Sequence, residues 1–481
     1  MTPPLPPLQQ ADLPHAPAFS LPNAARVIGA GTILLGLSLG AGDWLVGPAA
    51  VVKHGAGILW ICTCSVILQA LLNTEMARYT LATGEPIYSG FMRTGPGPRF
   101  WGWTYALLHL AQLGWAGWAA AAGSALAGLF LGRMPRGEDG TAVIALGYLV
   151  FGAAVGCALL GARAQRRIDR AEWIMLGWTL AFLVAVGVAL IPPDVWARVV
   201  AGFAAPLFGG AALPANADWA LLVALAAYSG AGGIVNASFT QWLRDKGFGM
   251  AGTSGVRPTA IGGAAVPLAT VGATFPITDA NLEKWREWWR YLRSDLWFLW
   301  TPACLIGIAL PAVIAAGVVP AGAPMGGPGA GAALAHTLGS RHGLALGLLA
   351  LATGFWILAS TQLGVAAGFA RSVTEILWTG GVSADARRIY RIALVVYGAG
   401  GCLALSQAEP LALILVGGAF TALNFVVLAL HTLWVNRRLL PRELRPAAWR
   451  EIAVLACALF FAALLARALS DPAALSDLLA R

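Results

Sequence analysis

Uninterrupted apolar runs constrain this chain more than any other feature. Residues 219–235 and 344–369 reach or approach the roughly 20 residues that a helix needs to cross a hydrocarbon core. In lipid every backbone N–H and C=O must be paired inside the segment, which leaves helices and closed barrels. Long runs without strict alternation are helices. Composition agrees, because 58% of the 481 residues are apolar and 11% are charged, where a soluble domain carries about 25% charge. The expected fold class is an all-α polytopic membrane protein.

Eleven spans are expected, starting near Ile28, Gly57, Trp101, Ala142, Trp173, Trp219, Asp295, Gly343, Ile389, Pro410 and Ile452. With the amino terminus on the cytoplasmic side, 24 of the 31 basic residues fall on that side and 7 on the other. Basic residues concentrate in cytoplasmic loops, so the net charge of +9 reads as orientation and not as nucleic-acid binding. Residues 1–27, Pro-rich and without a signal-peptide h-region, are expected to be a disordered cytoplasmic tail. A transporter domain then covers residues 28–470. Its first repeat is 28–191, its second 219–436 and its extra helix 446–470, and an extracytoplasmic tail follows at 471–481. The cysteines Cys62, Cys64, Cys157, Cys304, Cys402 and Cys457 lie in or at the ends of spans and act as small apolar groups.

Two stretches do not read as spans. Residues 195–213, broken by Pro206 and three glycines, are expected to be an external re-entrant or interfacial segment. Residues 282–300 mix six Trp and Tyr side chains with Lys284, Arg286, Arg290 and Arg293. That pattern suits an amphipathic helix lying among lipid headgroups, with cytoplasmic partner binding as the rival reading.

A charge inside a span costs at least about 2.5 kcal/mol at the helix centre, which makes an intramembrane ionisable residue a functional candidate. Glu75, Glu172, Glu375 and Glu409 sit near span ends, where water or headgroups can solvate them. Asp43 lies about fifteen residues into the first run, directly after Gly40, Ala41 and Gly42. The sixth span repeats the pattern, with Ser229, Gly230, Ala231, Gly232 and Gly233 at mid-depth, followed by Asn236 and Ser238. Spans one and six open two five-helix halves, and glycine-interrupted segments at matching places in two halves point to a binding site at the bilayer midplane. Ser38, His109, Gln112 and Gln362 are further polar groups that can line the same path. Gln69 and His431 read as interhelical hydrogen bonds, worth about 0.6 kcal/mol each.

At these residues the chain resembles the Nramp family of divalent metal transporters. Residues 39–44 lie where that family has an Asp-Pro-Gly-Asn break. His54-Gly55, Leu59-Trp60, Gln69, Met76-Ala77-Arg78, Thr83-Gly84 and Arg93 resemble its second helix and following loop, and Ala359-Ser360-Thr361-Gln362 resembles its eighth. The resemblance implies a LeuT-type 5+5 inverted repeat with helices 1 and 6 broken. The family's metal-binding Asp falls on Gly40, its Asn on Asp43, and its Met-Pro-His on Val235-Asn236-Ala237. The soft thioether and the histidine associated with proton movement are both missing.

These readings converge on a transporter of a divalent cation in a bacterial-type inner membrane, working by alternating access. Asp43 and Asn236, with carbonyls near Gly40, Ala41 and Gly233, would form a hard oxygen site of the Mg²⁺ or Mn²⁺ kind. Ser38, Ser238, His109, Gln112 and Gln362 are the substrate-path candidates. The alternative is a carrier of a small organic solute, an amino acid or amine paired with Asp43. No cofactor is expected, and the partners are the lipid bilayer and the small cation or solute itself. Nothing in the chain supports an enzyme: it has no nucleophile and base pair, no phosphate loop and no metal-ligand spacing of His or Cys.

Overall fold

The computed structural model describes residues 5–18, 20, 23, 40, 42–160, 162–209, 213, 214, 216–253, 256–261, 264–269, 272–407 and 409–471. Ser38 and Ala41, the first half of the first span and the last ten residues lie outside them. The chain is helical and membrane-spanning. Among the described residues nine helices are long and apolar enough to cross a membrane. Leu107, Phe130, Leu149, Val188, Val395 and Leu459 are each more than half exposed on the outside of the bundle, an apolar surface that suits lipid.

A π turn over Gly42–Val46 leads into α1 (Gly47–His54), which ends the first span. The second span is α2 (Trp60–Thr83). The third span is made of α3 (Pro98–Leu113) and α4 (Gly117–Leu131), parted at Ala116, whose φ is +50°. Then follow α5 (Gly140–Ala158), α6 (Ala162–Leu190) and α7 (Pro193–Phe203). The sixth span is in two pieces, α8 (Trp219–Tyr228) and α9 (Ile234–Asp245). After it come α10 (Asp279–Ser294), α11 (Thr301–Val318), α12 (Ala333–His342), α13 (Leu344–Thr379), α14 (Ala386–Leu405), α15 (Pro410–Leu439) and α16 (Ala448–Ser470). Proline opens α3, α7 and α15, where its missing N–H costs no helical bond. Asp218 caps α8 by accepting from Leu221 N–H.

Three expectations are corrected here. The amino-terminal tail, expected to be disordered, is docked over residues 5–18. Strand β1 (Gln9–Gln10) pairs in parallel with a second short strand, Ala273–Thr274, and Leu13 is buried. Three of its carbonyls are held by side chains: Pro6 accepts from Arg93, Pro14 from Trp288 and Ala18 from Tyr291. Residues 282–300 do form an amphipathic helix, α10, but its apolar face meets protein in place of headgroups. Trp285 and Trp288 are buried, and α10 runs through a π turn over Asp295–Trp300 straight into α11.

The third correction concerns the acidic residues at span ends. Glu75 and Glu375 are buried and are compensated by arginine instead of water. Glu75 takes bonds from Arg78 at 2.6 Å and Arg450 at 3.0 Å, and the Arg78 guanidinium lies 4.2 Å from the Trp289 ring. Glu375 is bonded by Arg244 and by Gln241, the latter at 2.9 Å. Residues 195–213 begin as α7, with Val195, Val199 and Gly202 turned to the protein, and continue in a short turn over Ala205–Phe208.

Candidate functional site

The two glycine-rich breaks touch. A Cβ added to Gly42 would lie 2.8 Å from Tyr228 Cβ, so only glycine lets the first break close on the end of α8. Just beyond it, Asp43 is 5% exposed. Among the described residues its carboxylate takes one hydrogen bond, a long one of 3.3 Å from Gly40 N–H. Gly40 O in turn accepts from the N–H groups of Asp43 and Trp44 at 3.1 and 3.4 Å. A buried carboxylate is costly unless it is paired and hydrogen-bonded. Neither Glu75 nor Glu375 is left in this state, which sets Asp43 apart.

The second break is held on all sides. Gly230, Gly232 and Gly233 have φ of +152°, +82° and +43°, a run that side-chain-bearing residues rarely adopt. The peptide groups freed by the break are taken by carboxamides. Gln112, at the end of α3, donates to Gly232 O at 3.1 Å and accepts from Ile234 N–H at 2.9 Å. Asn424 on α15 donates to the same Gln112 oxygen at 2.7 Å. From α2, Ser65 donates to Ala226 O at 2.5 Å, and Gln69 donates to Ser65 Oγ at 2.9 Å and to Ser229 O at 3.4 Å. Asn236, in the first turn of α9, donates to Gln69 Oε1 at 3.2 Å and accepts from Asn73 at 2.9 Å. Gly233 O accepts from Asn236 N–H at 3.1 Å as the first turn of α9 forms.

Of the candidates read from the sequence, Gly40, Asp43, Gly233, Asn236 and Gln112 are gathered at the two breaks. Among the described residues no hydrogen bond joins Asp43 to Asn236. Ser238 lies further along α9 and pairs with Ser372 at 3.1 Å, opening a polar line through Gln241 to Glu375 and Arg244. His109 is buried, its Nδ1 2.8 Å from Tyr105 O and its Nε2 3.3 Å from the Tyr88 hydroxyl. That hydroxyl donates to Ile234 O at 3.1 Å. Gln362 stands away from both breaks: it accepts from Ala119 N–H at 3.0 Å, satisfying the first turn of α4, and donates to the Tyr397 hydroxyl at 2.6 Å.

Sequence reasoning gave Gln69 a purely interhelical role and passed over Asn73. The available signal was spacing, since Ser65, Gln69 and Asn73 recur every four residues and so share one face of α2. Among the described residues no three His, Cys, Asp or Glu side chains gather in one place. The polar groups at the breaks, among the described residues, are one carboxylate, carboxamides and backbone carbonyls, whose oxygens are hard donors.

No protein-family model and no curated protein matches the sequence. Solved structures do share its fold. A substitution variant of the Eremococcus coleocola manganese transporter superposes with a TM-score of 0.63 at 14% identity, covering 98% of this chain and 90% of that one. The same transporter in complex with an aromatic bis-isothiourea substituted compound gives 0.59 at 13% identity, covering 98% and 94%. MhsT in complex with L-phenylalanine gives 0.51 at 13% identity, covering 94% and 98%. The chain thus has the LeuT-type fold of membrane transporters, with its sixth helix broken at the place the sequence indicates.

Proposed function

We propose that the protein is a secondary transporter or uniporter that moves a hard divalent cation, Mg²⁺ or Mn²⁺, by alternating access. One observation carries the reading: Asp43 is a buried carboxylate with no basic partner among the described residues, set where the first glycine-rich segment meets the end of α8. A cation bound there supplies the missing charge. Asn236 and carbonyls at the breaks would complete an oxygen shell together with the ion's own water, as suits an ion that dehydrates reluctantly. The manganese transporters among the fold's solved examples support the metal over other cargoes. The bias of the basic residues supports an amino terminus in the cytoplasm and a carboxyl terminus outside, in a bacterial-type inner membrane.

The fold is also that of MhsT, whose structure holds L-phenylalanine, so an organic amine paired with Asp43 is the competing cargo. The assay that separates them is uptake into liposomes holding purified protein, with Mg²⁺ or Mn²⁺ read by an enclosed indicator and with a panel of amino acids as competitors. Uptake of either ion, insensitive to the amino acids, is expected. Uptake of neither ion by folded protein, with retention of a radiolabelled amino acid, would overturn the reading.

A further inference from the structure

The carboxamides between α2 and α9 form a chain whose direction is fixed, and its last oxygen has no donor. Asparagine and glutamine oxygens and nitrogens are assigned from their partners, and here the partners leave no choice. Ser65 spends its hydroxyl proton on Ala226 O, so it offers Gln69 only lone pairs, and Ser229 O is an acceptor. The end of Gln69 that faces them must be its NH₂ group. Gln69 Oε1 then faces Asn236, which must present its own NH₂. Asn236 Oδ1 therefore faces the NH₂ of Asn73, and Asn73 Oδ1 is left at the head of the chain.

That oxygen is fully buried and, like Asn424 Oδ1 and Asn436 Oδ1, has no hydrogen-bond partner among the described residues. Buried polar atoms without partners are exceptional, and each one asks for a cause, a bound ion among them. Two further points favour an ion. Hydrogen bonds in series polarise one another, and each amide that donates gathers electron density on its own oxygen, so the head of the chain is its most negative atom. Asn73 also bonds directly to Asn236 in the first turn of α9, beside the break on which the proposed cation site rests. A full turn of α2 separates it from Gln69, which holds the break itself.

We propose that Asn73 Oδ1 contacts the transported cation, directly or through one of the ion's own waters, and that the chain running back to Ser65 tunes it for that task. The inference rests on the divalent-cation reading given above and names a ligand-side residue within it. Gln69 acts through Asn236 and Asn73 and is a positioning residue. Asn236 has both of its amide atoms engaged with α2, so it offers an ion at most a remaining lone pair.

The test is Mn²⁺ binding to purified protein by equilibrium dialysis, with thermal unfolding of the same samples, for wild type, Asn73→Leu, Asn73→Asp and Asp43→Ala. Asn73→Leu keeps the side-chain volume and removes the oxygen. It is expected to weaken Mn²⁺ binding ~10-fold or more, in the range that outer-shell partners of a bound metal carry, while the protein stays folded. Asn73→Asp keeps an oxygen in place with more charge but loses the NH₂ that donates to Asn236 Oδ1, so binding is expected to weaken less than in Asn73→Leu. The Asp variant also serves if the Leu variant fails to fold. Binding by Asn73→Leu within about twofold of wild type, or equal weakening in the Leu and Asp variants, would overturn the inference. If that occurs while Asp43→Ala still abolishes binding, the cation reading stands and only the role of Asn73 falls. Wild-type protein that binds no Mn²⁺ would overturn both.

Discussion

The two helix breaks are built in opposite ways. Around the second, Gln112, Asn424, Gln69 and Asn236 occupy the freed peptide groups, and glycine supplies the backbone angles. At the first, a carboxylate is buried with one long hydrogen bond. A frame whose freed peptide groups are held resists change, whereas a buried charge with no basic partner among the described residues favours the arrival of one. The second break is thus the more rigidly shaped of the two, and the first holds the charged group offered to the cargo.

The largest expected effect of attacking the frame comes from Gln112→Leu. It strands Ile234 N–H, Gly232 O and the Asn424 amide at once. Each buried group left unsatisfied costs ~1–3 kcal/mol, so the variant should lose roughly 3 kcal/mol or more, read as a fall in the midpoint of thermal unfolding in detergent. An unchanged midpoint would mean that the second break is not held by Gln112.

Gly233→Ala strains a single residue. Its φ is +43°, and the new Cβ would lie 2.3 Å from Gln112 Oε1 and 2.9 Å from Thr421 O. A loss of ~1–3 kcal/mol is expected, typical of a residue forced into a sparsely populated backbone region. Gly152→Ala on α5, where an added Cβ meets nothing within 4 Å, should instead be neutral or stabilising by up to ~1 kcal/mol. Equal effects of the two would remove the special status given to the break.

The smallest effect belongs to the outer ends of the two broken helices. Lys53 at the end of α1 bonds Asp218 at the start of α8 at 2.6 Å, with half of the Lys53 side chain exposed. Asp218→Asn keeps the cap on α8 but removes the ion pair, so it should cost no more than ~0–1 kcal/mol. The stability difference from wild type should shrink further in high salt, and a difference that salt leaves unchanged would contradict the exposed-pair reading.

The sequence made the spans and the position of the second break legible because both are local signals: apolar length for one, clustered glycine for the other. Asp43 was legible because a charge in an apolar run has few innocent explanations. The clamp around the break was not. Gln69, Asn73, Gln112 and Asn424 lie on four-residue spacings or singly within apolar helices, and their meaning depends on which helix they face. Amphipathicity likewise showed that α10 has an apolar face without saying what covers it. Part of the cover is the amino-terminal tail, beside Phe248 and Phe275, and the tail's proline-rich composition reads as disorder. Proline lacks an N–H yet keeps its carbonyl, and it is by carbonyls that residues 6, 14 and 18 are held.

The central claim is that the bare carboxylate of the first break binds the cargo. It is tested most directly by Mg²⁺ and Mn²⁺ uptake into liposomes holding wild-type protein or Asp43→Ala, with folding verified for both. The account predicts uptake by wild type and a loss of at least ~100-fold in Asp43→Ala, in line with removal of the one charged ligand from a low-dielectric site. Uptake that persists in Asp43→Ala would contradict it.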